Sequence, residues 1–302
     1  MGVYVIGQVI RRTREGLGMT QEQLCEGICS VETLSRIENG KHMPNRANFQ
    51  ALMERMGRSG EKYLPSVRSE DMEMMVWWKQ IEQLILKRKF EEFYQEIDAF
   101  EQRIDLDDVV NRQAVKRVRA LADGYTGKIG SEEKRKRLVE ALLYTVPYYE
   151  EGQVPRGVFS RTEIRILCNI AASYAEEENF EKALPMMKQI AAYYETTQID
   201  HRERATGEVL ALANYAQCLG VHGDTEEAVR IGEQALRMCL EEQKGDILPG
   251  ILYNIAFEKE LLGEKKNACK ELLLQAFYAA ELNCNQERMK SIRKQIEEHY
   301  PS

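Results

Sequence analysis

Apolar residues recur at three- and four-residue intervals along almost the whole chain, and alternating apolar–polar runs are nearly absent. The pattern predicts one helix after another. Leu, Ala, Glu, Lys, Gln and Met fill the periodic stretches, and all six favour helix. Short breaks divide them at Gly16-Leu17-Gly18, Asn39-Gly40, Gly57, Gly60, Pro65, Gly130, Pro147, Gly152, Pro155, Gly223, Gly245, Pro249 and Gly263. The expected fold class is all-α. The segment 57–69, with Arg58-Ser59-Gly60 and Leu64-Pro65-Ser66, reads as a boundary. It would separate a small domain, 1–60, from a larger one, 71–302, with 61–70 as linker.

The first helix is expected over about residues 3–15, with Val5, Ile6, Val9 and Ile10 on one side. Thr20 is placed to cap a short helix over 21–26, and Gln23 at the third helical position completes a capping box. Ser30 would cap a third helix over about 31–38, which stops at Asn39-Gly40. A fourth follows, with Phe49, Leu52, Met53 and Met56 facing inward. Two short helices joined by a tight turn can present the second to the major groove of DNA. The run Arg14-x5-Thr20-Gln21-Glu22-Gln23-Leu24, then Leu34-Ser35-Arg36-Ile37-Glu38-Asn39-Gly40-Lys41, resembles the phage-repressor (XRE, Cro-type) helix-turn-helix family. The resemblance implies that Arg14 and Glu38 pair to hold the first helix against the recognition helix. It places Gln21 near a phosphate, and Ser30, Val31, Glu32, Thr33 and Arg36 towards base edges or backbone. Lys41 and Arg46 would meet flanking phosphates. Glu32 could accept from a cytosine amino group or simply sit solvated at a helix N-terminus. One departure stands out: the turn is one residue shorter than usual, and Ile28-Cys29 occupies the place where Gly is common.

Beyond the boundary, one phrase returns: a helix, a tight polar turn, and an aromatic or acidic start to the next helix. It reads Lys87-Arg88-Lys89-Phe90, Glu177-Glu178-Asn179-Phe180, Gly223-Asp224-Thr225-Glu226 and Gly263-Glu264-Lys265-Lys266, with a weaker copy at Gly130-Ser131-Glu132-Glu133. Taking Phe93, Leu138, Ala183, Ala228 and Ala268 as equivalent gives spacings of 45, 45, 45 and 40. A period of that size predicts an α-solenoid of helix pairs. The pattern resembles tetratricopeptide repeats, well over 164–275 and approximately over 71–147. Residues 285–300, with Met289, Ile292 and Ile296 on one side, suit a C-terminal capping helix.

The first helix of each pair in such a solenoid lines its concave face. Asn169, Asn214 and Asn254 fall at one register on those helices. Asn is a poor helix-interior residue, but its side chain offers both a donor and an acceptor to the backbone of an extended peptide. It could equally bond the neighbouring hairpin. Arg165, Gln217, Tyr253 and Phe257 on the same face would add a carboxylate partner, a second amide and apolar pockets. Trp77-Trp78 reads as core packing, and Lys134-Arg135-Lys136-Arg137 as a solvated helix face.

The net charge of −7 divides unevenly. Residues 1–68 carry 10 Lys+Arg against 7 Glu, a net of +3, and residues 69–302 carry 32 against 42, a net of −10. A basic head on an acidic body suggests separate tasks. The small excess means that DNA affinity must rest on placed contacts and dimerisation. The seven cysteines show no Cys-x-x-Cys pair and the four histidines are scattered, so free thiols and no metal site are expected. No phosphate loop, nucleophile elbow or metalloprotease motif is present, so neither a cofactor nor a catalytic residue is assigned. No stretch is apolar enough for a membrane span, and a cytoplasmic location is expected.

A repressor-type head followed by tetratricopeptide-like repeats resembles the Rgg/PlcR/PrgX (RRNPP-type) group of Gram-positive transcription regulators. That resemblance implies a cytoplasmic homodimer that binds a two-fold symmetric double-stranded DNA operator. Its repeats would sense a short linear signalling peptide, in quorum-sensing fashion. The alternatives are repeats that bind a protein partner or only dimerise, or an adaptor that inhibits an enzyme while its head is vestigial.

Overall fold

The structure is a computed structural model that describes residues 6–58, 69–157, 159–196 and 201–300. The expected start of the first helix at 3–5, and nearly all of the 61–70 linker, lie outside the described residues. Every regular element among the described residues is helical, as the three- and four-residue apolar spacing demands. The chain forms two compact units, residues 1–170 with 197–203 and residues 171–196 with 204–302.

The first unit begins with α1 (Ile6–Gly16), α2 (Gln21–Cys25), α3 (Val31–Glu38) and α4 (Arg46–Arg55). Thr20 accepts from Gln23 N–H at 3.2 Å while the Gln23 side chain accepts from Thr20 N–H at 2.8 Å, completing the expected capping box. Ser30 caps α3 and Asn45 caps α4 by accepting from the N–H of Thr33 and of Asn48. Ile6, Ile10, Leu24, Leu34, Ile37, Phe49, Leu52, Met53 and Met56 form the core. The turn does contain its glycine, one position earlier than the sequence comparison placed it. Gly27 has φ +67°, so the left-handed residue sits there rather than at Ile28-Cys29.

The same unit continues through α5 (Ser69–Leu86), α6 (Phe90–Glu101), α7 (Val109–Tyr125), α8 (Ser131–Leu143) and the first ten residues of α9 (Arg161–Glu176). Trp77 and Trp78 each lie 5.3 Å from Phe100, inside the α5–α7 core. Four-helix head and first hairpins share one compact unit, because several contacts cross between them. Val110 of α7 packs on the head core. Asn45 donates to Asp108, the N-cap of α7, at 2.7 Å. A Cβ on Gly27 would stand 2.2 Å from the Thr145 carbonyl oxygen.

The second unit holds the rest of α9, then α10 (Phe180–Thr196), α11 (His201–His222) from Arg204 onward, α12 (Thr225–Glu241), α13 (Leu248–Leu261), α14 (Lys266–Leu282) and α15 (Gln286–His299). Ile292 of α15 is fully buried, with Met289 and Ile296 packed beside it, so α15 closes the α13–α14 core as a cap.

The recurring polar phrase is a helix-ending motif. Arg88, Glu178, Gly223 and Gly263 all have positive φ. At each, the next N–H reaches back to a carbonyl in the last turn: Lys89 to Leu84, Asn179 to Tyr174, Asp224 to Leu219 and Glu264 to Lys259, at 2.8–3.0 Å. This six-to-one bond satisfies carbonyls that the helix end would otherwise orphan.

The repeat register needs correction at two points. Ala268 is exposed, whereas Cys269 is fully buried. Leu138 is buried a turn further along its helix than its supposed counterparts. The fourth residue of each second helix is the structural equivalent: Phe93, Lys134, Ala183, Ala228 and Cys269, all buried. Their spacings are 41, 49, 45 and 41, so the period belongs to the hairpin and not to a fixed residue count. Lys134 also corrects the solvated-face expectation for 134–137. It lies 6% exposed against Gly124, while Arg135 pairs with Glu151, Lys136 with Glu132, and Arg137 with Glu133 and Asp123.

Candidate functional site

The recognition helix α3 is held by a buried charge cluster. Arg14 Nε meets Glu38 Oε1 at 2.7 Å and Arg14 Nη2 meets Glu38 Oε2 at 2.9 Å, while Nη1 donates to the Met19 carbonyl. This is the fork-on-fork pairing that a guanidinium and a carboxylate favour. The hydrogen bond to Glu38 holds Arg14 above its usual pKa. Gln21, expected near a phosphate, turns its amide into this cluster and donates to Glu38 Oε2 at 2.7 Å.

With Leu34, Ile37 and Glu38 inside, the opposite side of α3 faces out. Ser30, Val31, Glu32 and Arg36 are exposed, as is Lys41 just beyond the helix. Ser30 Oγ is occupied as the helix cap and also lies 2.9 Å from Thr33 Oγ1. Neither Arg36 nor Lys41 has an acidic partner among the described residues. Arg46 differs: it opens α4, but its Nε and Nη1 are out of solvent. A phosphate contact by Arg46 would need that side chain to move.

The residues expected at a ligand fall in both units. Arg165 belongs to the first, where its Nη1 donates to Glu82 at 2.6 Å. Asn169 also belongs to the first, with its Oδ1 buried and the residue already engaged. The second unit holds the other five. Asn214 and Asn254 are half-buried, and neither has a hydrogen-bond partner among the described residues. Gln217 is exposed, three residues after Asn214, and Phe257 is 40% exposed, three after Asn254. Tyr253 instead packs against the α13–α15 core.

Two exposed residues extend this pattern. Val221, seven after Asn214, is 64% exposed, and Leu261, seven after Asn254, is 60% exposed. Residues three and seven apart share a helix face. Each helix therefore carries an amide, a middle residue and an exposed apolar side chain in the same order. Hydrophobic periodicity could not flag Val221 and Leu261, because an isolated helix does not reveal which apolar residues its neighbours leave uncovered.

The sequence reading also missed a buried polar cluster behind the head. Arg55 donates to Glu163 at 2.9 Å and to the carbonyls of Glu26 and Thr145. Glu54 accepts from Arg161 N–H at 2.6 Å. Glu163 and Ser160 form a capping box at the start of α9. The Ser160-Arg161-Thr162-Glu163 spacing carried that signal.

No group of three His, Cys, Asp or Glu among the described residues could hold a metal ion, and no described helix is long and apolar enough to cross a membrane. Burial pushes the thiols of Cys25, Cys218 and Cys29 up, the last two to about 11 and about 12, which disfavours the reactive thiolate.

Comparison with known proteins places these features in context. A profile described as helix-turn-helix matches residues 10–62, and one described as the RNPP family C-terminal domain matches residues 78–298. No curated sequence matches the chain. Among solved structures, PlcR of Bacillus thuringiensis in complex with the peptide PapR7 and DNA matches with a TM-score of 0.63 at 17% identity, covering 95% of this chain and 98% of that one. Its apo form matches with a TM-score of 0.58 at 18% identity, covering 96% and 98%. ComR of S. thermophilus, in complex with DNA and its signalling peptide ComS, matches at 0.52 and 17%, covering 96% and 98%. At these identities the likeness is one of fold.

Proposed function

The chain belongs to the RNPP family, and from that premise we propose that it is a DNA-binding transcription regulator whose repeats sense a short linear peptide. The observation that carries this reading is a helix-turn-helix with a solvent-facing recognition helix, joined to an RNPP C-terminal domain. Val31, Glu32, Thr33 and Arg36 read the groove, and Lys41 meets a flanking phosphate. The protein acts as a cytoplasmic homodimer on a two-fold symmetric operator and performs no catalysis. PlcR and ComR, crystallised with both DNA and peptide, support the pairing of these two partners.

Asn214 and Asn254 supply amides to the peptide backbone. A half-buried amide without an internal partner is available to a ligand at little cost, since no existing bond must be broken. Gln217 and Phe257 flank them. The peptide changes DNA binding only if it binds one conformation of the repeats more tightly than another.

Fluorescence anisotropy of DNA from the protein's own upstream region tests the proposal. Protein is titrated at two salt concentrations, with and without short peptides encoded beside its gene. Saturable, salt-sensitive binding that a peptide shifts is the expected result. DNA binding that no such peptide alters would refute peptide sensing, and absence of DNA binding would refute the regulator.

A further inference from the structure

The first turn of α3 is poorly equipped to grip a phosphate backbone. It runs Ser30-Val31-Glu32-Thr33, with no Lys or Arg before Arg36. The two hydroxyls are engaged with each other: Ser30 Oγ accepts from Thr33 N–H at 3.1 Å and lies 2.9 Å from Thr33 Oγ1. Of the apolar residues of α3, Leu34 and Ile37 are buried in the head core, whereas Val31 is 38% exposed. Glu32 is exposed and stands one turn before Arg36, a spacing at which opposite charges commonly pair. Neither of them makes an ion pair among the described residues. Val31 and Glu32 are therefore uncommitted, and they sit where the N-terminal residues of a recognition helix meet base edges. Neither adds to sequence-independent attraction, since Val31 is neutral and Glu32 is repelled by phosphates. What they contribute must be discrimination.

We propose that Val31 reads the C5-methyl group of a thymine in the operator, and that Glu32 reads the exocyclic amino group of a neighbouring cytosine or adenine. The inference rests on the DNA-binding reading and deepens it by naming the base chemistry that α3 accepts. Valine has no polar atom, and the thymine methyl is the apolar group that a base pair shows in the major groove. Its branched side chain is stiff in a helix, so little freedom is lost when it packs there. A carboxylate only accepts hydrogen bonds. Guanine and thymine turn acceptors to the groove, which repel it, whereas cytosine and adenine offer an amino donor. Glu32 thus rejects as well as selects, because opposite an acceptor its charge would be desolvated without a donor.

DNA from the protein's own upstream region is amplified with either dTTP or dUTP; the second deletes every C5-methyl group and keeps the pairing. Full-length wild type and Val31→Ala are titrated against both by fluorescence anisotropy. The wild type should bind the uracil DNA about tenfold more weakly, as loss of one methyl contact from each of two heads predicts. Val31→Ala should bind both DNAs alike, at the weaker level. A salt slope equal to that of the wild type shows that its phosphate contacts, and hence its head, are intact. Undiminished binding of uracil DNA by the wild type, or equal losses in both proteins, overturns Val31 as the reader and leaves DNA binding standing. Absence of saturable binding to the unmodified DNA overturns the regulator and this inference together. For Glu32, duplexes randomised across the bound site are selected with wild type and Glu32→Ala. The variant should lose its preference at one base pair beside the thymine and keep the others. A C·G pair there in the wild-type selection assigns the cytosine amino group, and an A·T pair assigns that of adenine. Identical selections by the two proteins overturn Glu32 as a reader.

Discussion

Removing the Arg55 guanidinium should destabilise the first unit severely. Arg55 and Glu163 have side chains only 6% and 1% exposed, and their closest atoms are 2.9 Å apart. Without Arg55, the only other donor to the Glu163 side chain among the described residues is the Ser160 N–H, at 2.6 Å. Arg55→Met thus leaves a full negative charge out of water with one backbone donor. Breaking a buried pair in this way costs about 3–5 kcal/mol. Both tryptophans lie on α5, so fluorescence during urea unfolding reports on the first unit. With a slope of roughly 2–3 kcal/mol per molar urea, the midpoint should fall by about 1–2 M. Glu163→Gln should also destabilise, but the double variant should cost less than the two single effects added. The recovered coupling should be about 1–3 kcal/mol. Strictly additive effects, or a loss below about 1 kcal/mol as expected of a surface pair, would refute the reasoning.

Other outcomes follow from the same geometry. Gly27→Ala should cost more than Gly40→Ala in thermal melts. Both have φ near +70°, worth about 1–2 kcal/mol of strain, but only Gly27 also meets the Thr145 backbone, whereas nothing lies within 4 Å of a Cβ at Gly40. Arg36→Ala and Lys41→Ala should weaken operator binding. If each residue contacts a phosphate, the slope of log K against log salt should shrink by about 1 per residue; an unchanged slope for Lys41→Ala would remove it from the interface. Asn214→Ala should abolish the peptide response while operator binding by the free protein survives; loss of DNA binding at unchanged stability would contradict its role. Glu258 is 8% exposed, and burial raises its carboxyl above the ordinary 4.5 against the pull of the Thr225 hydroxyl. The folded state then holds this proton more tightly than the unfolded chain. Its contribution to stability is complete below about 4.5 and is lost as pH rises through the raised value. Glu258→Gln should therefore gain on the wild type when melting temperatures are compared from about pH 4 to about pH 8, and parallel curves would count against the shift.

Local chemistry was legible in the residues alone. Apolar spacing marked the helices, the Thr20–Gln23 box and Ser30 marked two starts, and the polar phrases marked four ends, because these signals act within one or two turns of chain. The Arg14–Glu38 clamp was reachable through family resemblance, since its two residues stand at motif positions. The third dimension decided the rest. Nothing local could show that Gly27 touches Thr145, that Arg55 finds Glu163, or that Arg165 reaches Glu82. Those partners lie far apart in sequence, and only packing of whole helices brings them together. The repeat register failed for the same reason: Ala268 and Cys269 are adjacent small residues, and which one is buried depends on how α14 rolls against its neighbours. Exposure of Val221 and Leu261, and the free amides of Asn214 and Asn254, are likewise properties of what the surrounding helices leave uncovered. A sequence specifies which side chains can make a contact, and tertiary packing determines which contacts form.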